Sequence, residues 1–174
     1  MESRILQKAI SGDPEALTLL IDKYKNIAYN LALSIVKNKE DAKDITQDSL
    51  LKVLENIHKF RKASKFSTWL YRIVYNQSVG FIANKKQKYI QDYLQLVEPS
   101  YHLNFENRES KFPDMYKAIN ALDDNDRNII MLFYLAEKSI KEIVQITGLS
   151  ISNIKVILHR ARKKLYKNLN YENE

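Results

Sequence analysis

A chain of 174 residues with 45% hydrophobic residues can build one large domain or two small ones, which argues against global disorder. Three Gly and three Pro are too few for a turn-rich sheet protein, and the absence of Cys excludes disulfide frameworks, thiolate metal sites and cysteine catalysis. A net charge of +7 points towards a polyanion, either nucleic acid or an anionic membrane surface.

The opening Met1-Glu-Ser-Arg-Ile-Leu lacks the apolar core of a signal peptide. No apolar run approaches the length of about 18 residues that spans a bilayer, so the chain reads as soluble and intracellular. Asp13-Pro14-Glu15 is a strong helix start. Leu17, Leu20, Ile21, Tyr24, Ala28, Leu31 and Ile35 then recur at helical spacing. A second helix begins at Asp41, with Ala42, Ile45, Ser49, Leu50, Val53, Leu54 and Ile57 as its stripe. After a loop from His58 to Lys65, a third runs from near Ser67, marked by Trp69, Leu70, Ile73, Val74, Phe81 and Ile82. Residues 89 to 112 lose clear periodicity, with some helix expected around Tyr89 to Val97, and read as a linker closed by Pro113.

A second unit starts near Asp114 with Met115, Ala118, Ile119 and Leu122. Asp123 is expected to cap the next helix, with Asp126 at the capping-box position and Ile129, Ile130, Leu132, Phe133 and Leu135 continuing it. Ser139-Ile-Lys-Glu142 is another capping box, opening a short helix through Ile143 and Ile146. Gly148 suits a tight turn and Ser150 a last cap.

Short helix, Gly-containing turn and longer helix make the helix-turn-helix layout. Ile151, Ile154, Leu158, Ala161 and Leu165 are spaced for burial on one face of the last helix. Ser152, Asn153, Lys155, Val156, His159, Arg160, Arg162 and Lys163 are left outside. Asn153, Lys155 and His159 sit on the turns that meet base edges in a major groove, whereas Arg160, Arg162, Lys163 and Lys164 suit phosphates. The bland alternative is a solvated amphipathic helix with a basic face.

In the first unit, Asp41, Asp44, Gln47 and Asp48 lie within two turns. By spacing alone they favour the helix dipole as readily as a partner. From Phe60 onwards, aromatics interleave with Arg61, Lys62, Lys65, Arg72, Lys85 and Lys86. That mixture suits single-stranded DNA, where rings stack bases at about 1–3 kcal/mol each and cations track the backbone. Trp69 shares a helical side with Leu70 and Ile73 and reads as core, and Phe66 is as readily packing as contact; Phe60 and Arg61, in the loop, are the better contacts.

Asp41-Ala-Lys-Asp-Ile-Thr-Gln-Asp48, Phe60-Arg61 and Phe66-Ser-Thr-Trp-Leu-Tyr-Arg-Ile73 together resemble the promoter-melting region of the extracytoplasmic-function (ECF) sigma factors of bacterial RNA polymerase. Lys138-Ser-Ile-Lys-Glu-Ile143, Ser152-Asn-Ile-Lys155 and His159-Arg-Ala-Arg162 resemble their reader of the minus-thirty-five element. The resemblance implies an all-α chain of two small helical domains. Residues 1–88 would bind core polymerase and melt the minus-ten element, 89–113 would be a flexible linker, and 114–174 would read the minus-thirty-five element. It implies polymerase contacts at Asp41, Asp44, Ile45, Gln47, Asp48 and Leu51. It implies minus-ten contacts at Phe60, Arg61, Lys65, Phe66, Arg72, Asn76, Gly80, Lys85 and Lys86, and minus-thirty-five contacts at the eight outward residues from Ser152 to Lys163.

Lys43, Gly80, Val156 and Ile157 depart from the family pattern. The implied partners are core RNA polymerase, promoter DNA as duplex and as melted non-template strand, and an anti-sigma factor, with no membrane insertion and a cytoplasmic location. No cofactor, metal or catalytic residue is expected, since the chain has no paired-His motif, phosphate-binding Gly loop or nucleophile elbow. A stand-alone helix-turn-helix regulator with a helical sensor or dimerisation domain is the alternative. A helical interaction module with merely solvated basic faces is a second.

Overall fold

The computed structural model describes residues 2–61, 63–93 and 113–170, and every regular element among them is helical. α1 (Glu2–Ile10) has no counterpart in the expected order; its Ala9 and Ile10 pack into the core of the first unit. Asp13 caps α2 (Pro14–Val36) as expected, accepting from the Glu15 and Ala16 amides at 3.0 and 3.1 Å. Lys37 ends α2 in the left-handed region, φ 59°, and sends its amide to the Leu33 carbonyl. Asn38 then caps α3 (Lys39–Asn56) through the Glu40 and Asp41 amides. A single 3-10 turn, Ile57–Lys59, leads to the loop before α4 (Phe66–Tyr93). The core between α2, α3 and α4 is Leu20, Tyr24, Ala28, Leu31, Ala42, Ile45, Val53, Leu70, Tyr71 and Val74. The expected linker, 89–113, overlaps α4 at one end, meets α5 at Pro113, and otherwise lies outside the described residues.

The second unit contains α5 (Pro113–Asn120), α6 (Asp124–Ile130), α7 (Ile140–Thr147) and α8 (Ile151–Asn170). Met131–Leu135 continues α6 as one turn of π-helix, closed by the Ala136 amide on the Met131 carbonyl at 3.0 Å. The extra residue in that turn rotates Tyr134 out to half exposure. The Ser139–Glu142 capping box forms with both of its reciprocal bonds. Gly148 closes α7 at φ 75°, and Ser150 accepts from the Asn153 amide at 3.2 Å.

Two expectations are overturned here. Asp123 stands at the N-cap of α6 as expected but makes no side-chain capping bond, and Asp126 is not a capping-box residue but a fully buried carboxylate facing α8. On α8, Ile151 is exposed, and Ile157 is buried beside Ile154, Leu158 and Ala161. Ile151, in the first turn of α8, is 46% exposed, so the buried stripe starts at Ile154, one turn later than spacing suggests.

The two units touch. α7 lies against the first turns of α4, and α6 against the end of α2. The buried Lys138 ammonium donates to the Ser67 hydroxyl at 2.6 Å and stands 5.1 Å from the centre of the Tyr71 ring. Lys37 pairs with Asp124 across the second contact.

The glycines separate two backbone regimes. A Cβ built at Gly80 within α4 meets nothing within 4 Å, whereas Gly148 holds a left-handed φ. Gly80→Ala is expected to stabilise by about 0.5–1 kcal/mol in urea unfolding, and Gly148→Ala to destabilise by more than that. Equal shifts of the same sign would contradict this assignment.

Candidate nucleic-acid interface

On the polar face of α3, Asp44, Gln47 and Asp48 are exposed, and Leu51 continues their face at 50% exposure. Leu51 and Gln47 also line a groove of about 320 Å³ between α2 and α3, with Lys25, Tyr29, Leu50 and Leu54 on its other walls. Tyr29 and Lys25 escaped the sequence reading, and Leu54, expected on the buried stripe, is 37% exposed on the groove wall. Two of the expected contacts lie elsewhere. Ile45 is buried among α2 and α4 side chains, and Asp41 is half-buried in an ion pair with Lys85 of α4 at 2.9 Å. This pair joins one candidate polymerase contact to one candidate DNA contact.

The aromatic residues before and at the start of α4 form one cluster. Phe60 meets Phe66 edge-on at 6.1 Å and Trp69 at 5.3 Å; Phe66 meets Trp69 at 6.0 Å and Tyr24 at 5.6 Å. Phe60 is only 8% exposed and Phe66 is buried, while Trp69 keeps part of its ring at the surface. Exposure thus ranks them opposite to the sequence reading: Phe60 floors the loop and Trp69 is the ring nearest solvent. Arg61 and Lys65 are exposed above this floor. Along α4, Arg72 and Asn76 share an exposed line with Val79, and Gly80 is half-buried next to it. Lys86 follows on the same helix, its side chain outside the described set.

On α8 the buried stripe leaves Ser152, Asn153, Lys155, Val156, His159, Arg160, Arg162 and Lys163 at the surface. Two of the three expected phosphate contacts among them already have partners within the fold. Arg160 Nε stands 3.1 Å from both Asp126 oxygens, with a further bond from its terminal nitrogen. Lys164 reaches the same carboxylate at 3.1 Å and also pairs with Asp123. Burial by itself would raise the Asp126 pKa; the hydrogen bonds from Arg160 and Lys164 outweigh it and hold the carboxyl below the usual range. Arg162 donates to the Tyr134 hydroxyl at 2.8 Å and lies over the Phe133 and Tyr134 rings.

Glu142 links the two surfaces. It caps its own helix through the Ser139 amide and hydroxyl, and accepts from Thr68 at 3.1 Å and pairs with Lys65 at 3.2 Å on the opposing unit. No group of three or more metal-binding side chains occurs among the described residues, and no described helix is long and apolar enough to cross a membrane.

This arrangement, a four-helix unit with an acidic face and an aromatic cluster followed by a helix-turn-helix, defines a two-part nucleic-acid-binding adaptor. Residues 20–87 match the Sigma-70 region 2 family and residues 114–165 the Sigma-70 region 4 family. The chain is 30% identical to the ECF RNA polymerase sigma factor SigW of Bacillus subtilis, over 97% of each chain. It is 28% identical to the RNA polymerase sigma factor SigV of the same organism, covering 84% of this chain and 87% of that one. Among solved structures, the sigma factor RpoE in complex with the anti-sigma factor NepR from Bartonella quintana superposes with a TM-score of 0.72 at 25% identity, covering 88% of this chain and 96% of that one. CnrH in complex with the cytosolic domain of CnrY shares the fold, with a TM-score of 0.67 at 20% identity over 96% of each chain. The chain belongs to the ECF sigma factors of RNA polymerase, proteins that direct promoter-specific initiation and leave catalysis to the polymerase. A stand-alone regulator leaves the region 2 match without a role.

Glu142 gives this interface a pH signature. Burial would raise its pKa, but the bonds from Ser139, Lys65 and Thr68 prevail and bring it from 4.5 to about 2. A lowered carboxyl stabilises the fold fully above its unfolded pKa and loses that contribution as pH falls towards the folded one. Urea unfolding of the native chain and Glu142→Gln should therefore differ more at about pH 6 than at about pH 3. The same gap at both values would remove Glu142 from the acid response.

Proposed function

We propose that Asp44, Gln47, Asp48 and Leu51, with the groove behind them, form the polymerase-docking surface. Their common exposed face on α3 carries this reading. The minus-ten unit spans 1–88, and its DNA contacts come from Arg61, Lys65, Trp69, Arg72, Asn76 and Lys85. Phe60 and Phe66 support that loop from beneath. The minus-thirty-five unit spans 114–174, and α8 enters the major groove with Ser152, Asn153, Lys155, Val156, His159 and Lys163 foremost. Arg160 and Arg162 fix the helix on its unit and reach phosphates only from its edge. RpoE is held by an anti-sigma factor in its solved structure, and an inhibitor of that class acting on this chain fits the same surfaces. The protein works in the bacterial cytoplasm and is not an enzyme.

The two elements lie about 25 base pairs apart, or about 85 Å of duplex. A single compact body of 174 residues is only about 40 Å across. Both readers therefore cannot engage while Lys138 rests on Ser67, and docking on polymerase separates the units. Because tethering on one rigid enzyme raises effective concentration, the isolated chain binds promoter duplex weakly.

Reconstitution with purified core polymerase tests the docking surface: Asp44→Lys with Asp48→Lys should weaken holoenzyme assembly at least about tenfold and abolish dependent start sites. Unchanged assembly would refute it. Separation is tested by energy transfer between dyes at Lys52→Cys and Lys167→Cys, both exposed positions in a chain without native Cys. Transfer should fall on adding core polymerase; a constant signal would show that the units stay together.

A further inference from the structure

Val156 is 60% exposed at the middle of a polar helix face. α8 is held down by Ile154, Ile157, Leu158 and Ala161, all buried. With 3.6 residues per turn, Ser152, Val156, His159 and Lys163 fall along the line opposite that stripe, all exposed. Three of the four can exchange hydrogen bonds with a base edge or a phosphate. Val156 can exchange none. Pointing away from the core, it does nothing to hold the helix in place, and as a β-branched residue it is a poorer helix former than the Ala, Lys or Glu common on solvated faces.

The chemistry of the groove restricts what such a side chain can read. The major-groove edges of guanine, cytosine and adenine offer acceptors or amino donors, and thymine alone adds an apolar projection, its C5-methyl group. A valine against that methyl gains apolar contact. The same valine against a cytosine amino group or a guanine O6 leaves a polar group without a partner, a net cost. The preference therefore has both an attractive and a repulsive part.

We propose that Val156 is a specificity-determining residue that packs on a thymine methyl in the upstream promoter element, between hydrogen-bonding contacts from Ser152 and His159. This rests on α8 being the reader of that element, and it names the chemistry of one position.

The test uses holoenzyme assembled from the full chain and core RNA polymerase, on a promoter found by 5′-end mapping of dependent transcripts. Each thymidine of the upstream element, on either strand, is replaced in turn by deoxyuridine, which removes the methyl and keeps the base pair. One position should lose about fourfold in binding, the effect of uncovering one methyl-sized group. Holoenzyme carrying Val156→Ala should be indifferent to deoxyuridine at that position. Val156 is exposed, so this variant keeps its fold. Insensitivity at every thymidine, or equal sensitivity in native and Val156→Ala holoenzyme, overturns the proposal. Scrambling the whole upstream element separates this failure from a deeper one. If scrambling weakens binding but no deoxyuridine does, the valine contact alone is lost. If scrambling has no effect, α8 is not the reader and both readings fall.

Discussion

Three consecutive buried polar side chains on α6 decide how the second unit is assembled. Asp126 faces α8 and accepts from Arg160 and Lys164. Arg127 turns to the end of α5 and the turn after it, donating to the carbonyls of Ile119, Asn120 and Leu122. Asn128 meets the Ser34 hydroxyl of α2 at 3.3 Å, on the other unit. Burial pulls the Arg127 pKa down, and the carboxylates of Asp124 and Asp123 oppose that fall. An unpaired charge at such a site costs about 3–5 kcal/mol, so each neighbour is held to one position by the penalty for leaving it. Apolar packing from Ile129, Ile130 and Leu132 supplies cohesion, but it tolerates sliding; this polar run does not.

The consequence for function is a fixed presentation of α8. Its inner face is bound by the apolar stripe and its flank by Arg160 and Arg162, so rotation about its own axis is restrained from two sides. The face offered to a groove is therefore set before DNA arrives. The joint between the units combines polar contacts around Lys138, Glu142, Ser34 and Lys37 with buried apolar side chains that run from one unit into the other. Such a joint opens only when new contacts compensate for the ones it loses. A reader that is rigid within itself suits the proposed separation of the units on polymerase, because each part keeps its shape while the spacing changes.

Much of this was legible in the sequence because it is written locally. Asp13, Ser139 with Glu142, Gly148 and Ser150 act within four residues of themselves, and all behave as their side chains dictate. The lost information is of longer range. Asp126 resembles a cap from its neighbours, and only the fold reveals Arg160, 34 residues away. Helical spacing assigns a residue to a face but not to a depth: it could not tell that Ile157 is covered and Ile151 is not, since this depends on which neighbouring helices reach each turn of α8. Phe60 sits in a short turn without periodicity, so nothing local showed it folding back under Phe66 and Trp69. The acidic face of α3 lay between these cases. Its exposure was readable, whereas the Asp41–Lys85 pair and the groove reaching Tyr29 required α4 and α2 to be in place.

A reader built this way can use weak contacts. A basic surface and a tether to a large enzyme supply most of the attraction to DNA, and both are indifferent to sequence. Discrimination then needs only a difference between one base and another, and a difference of fourfold at one position multiplies with those at its neighbours. Spending Arg160 and Arg162 on the fold removes two strong cations from the groove. That lowers the sequence-independent share of binding and leaves smaller side chains to decide the sequence. An apolar group at the apex of α8 is then no anomaly: where affinity is supplied elsewhere, a contact that can only prefer, and never bind tightly on its own, is sufficient.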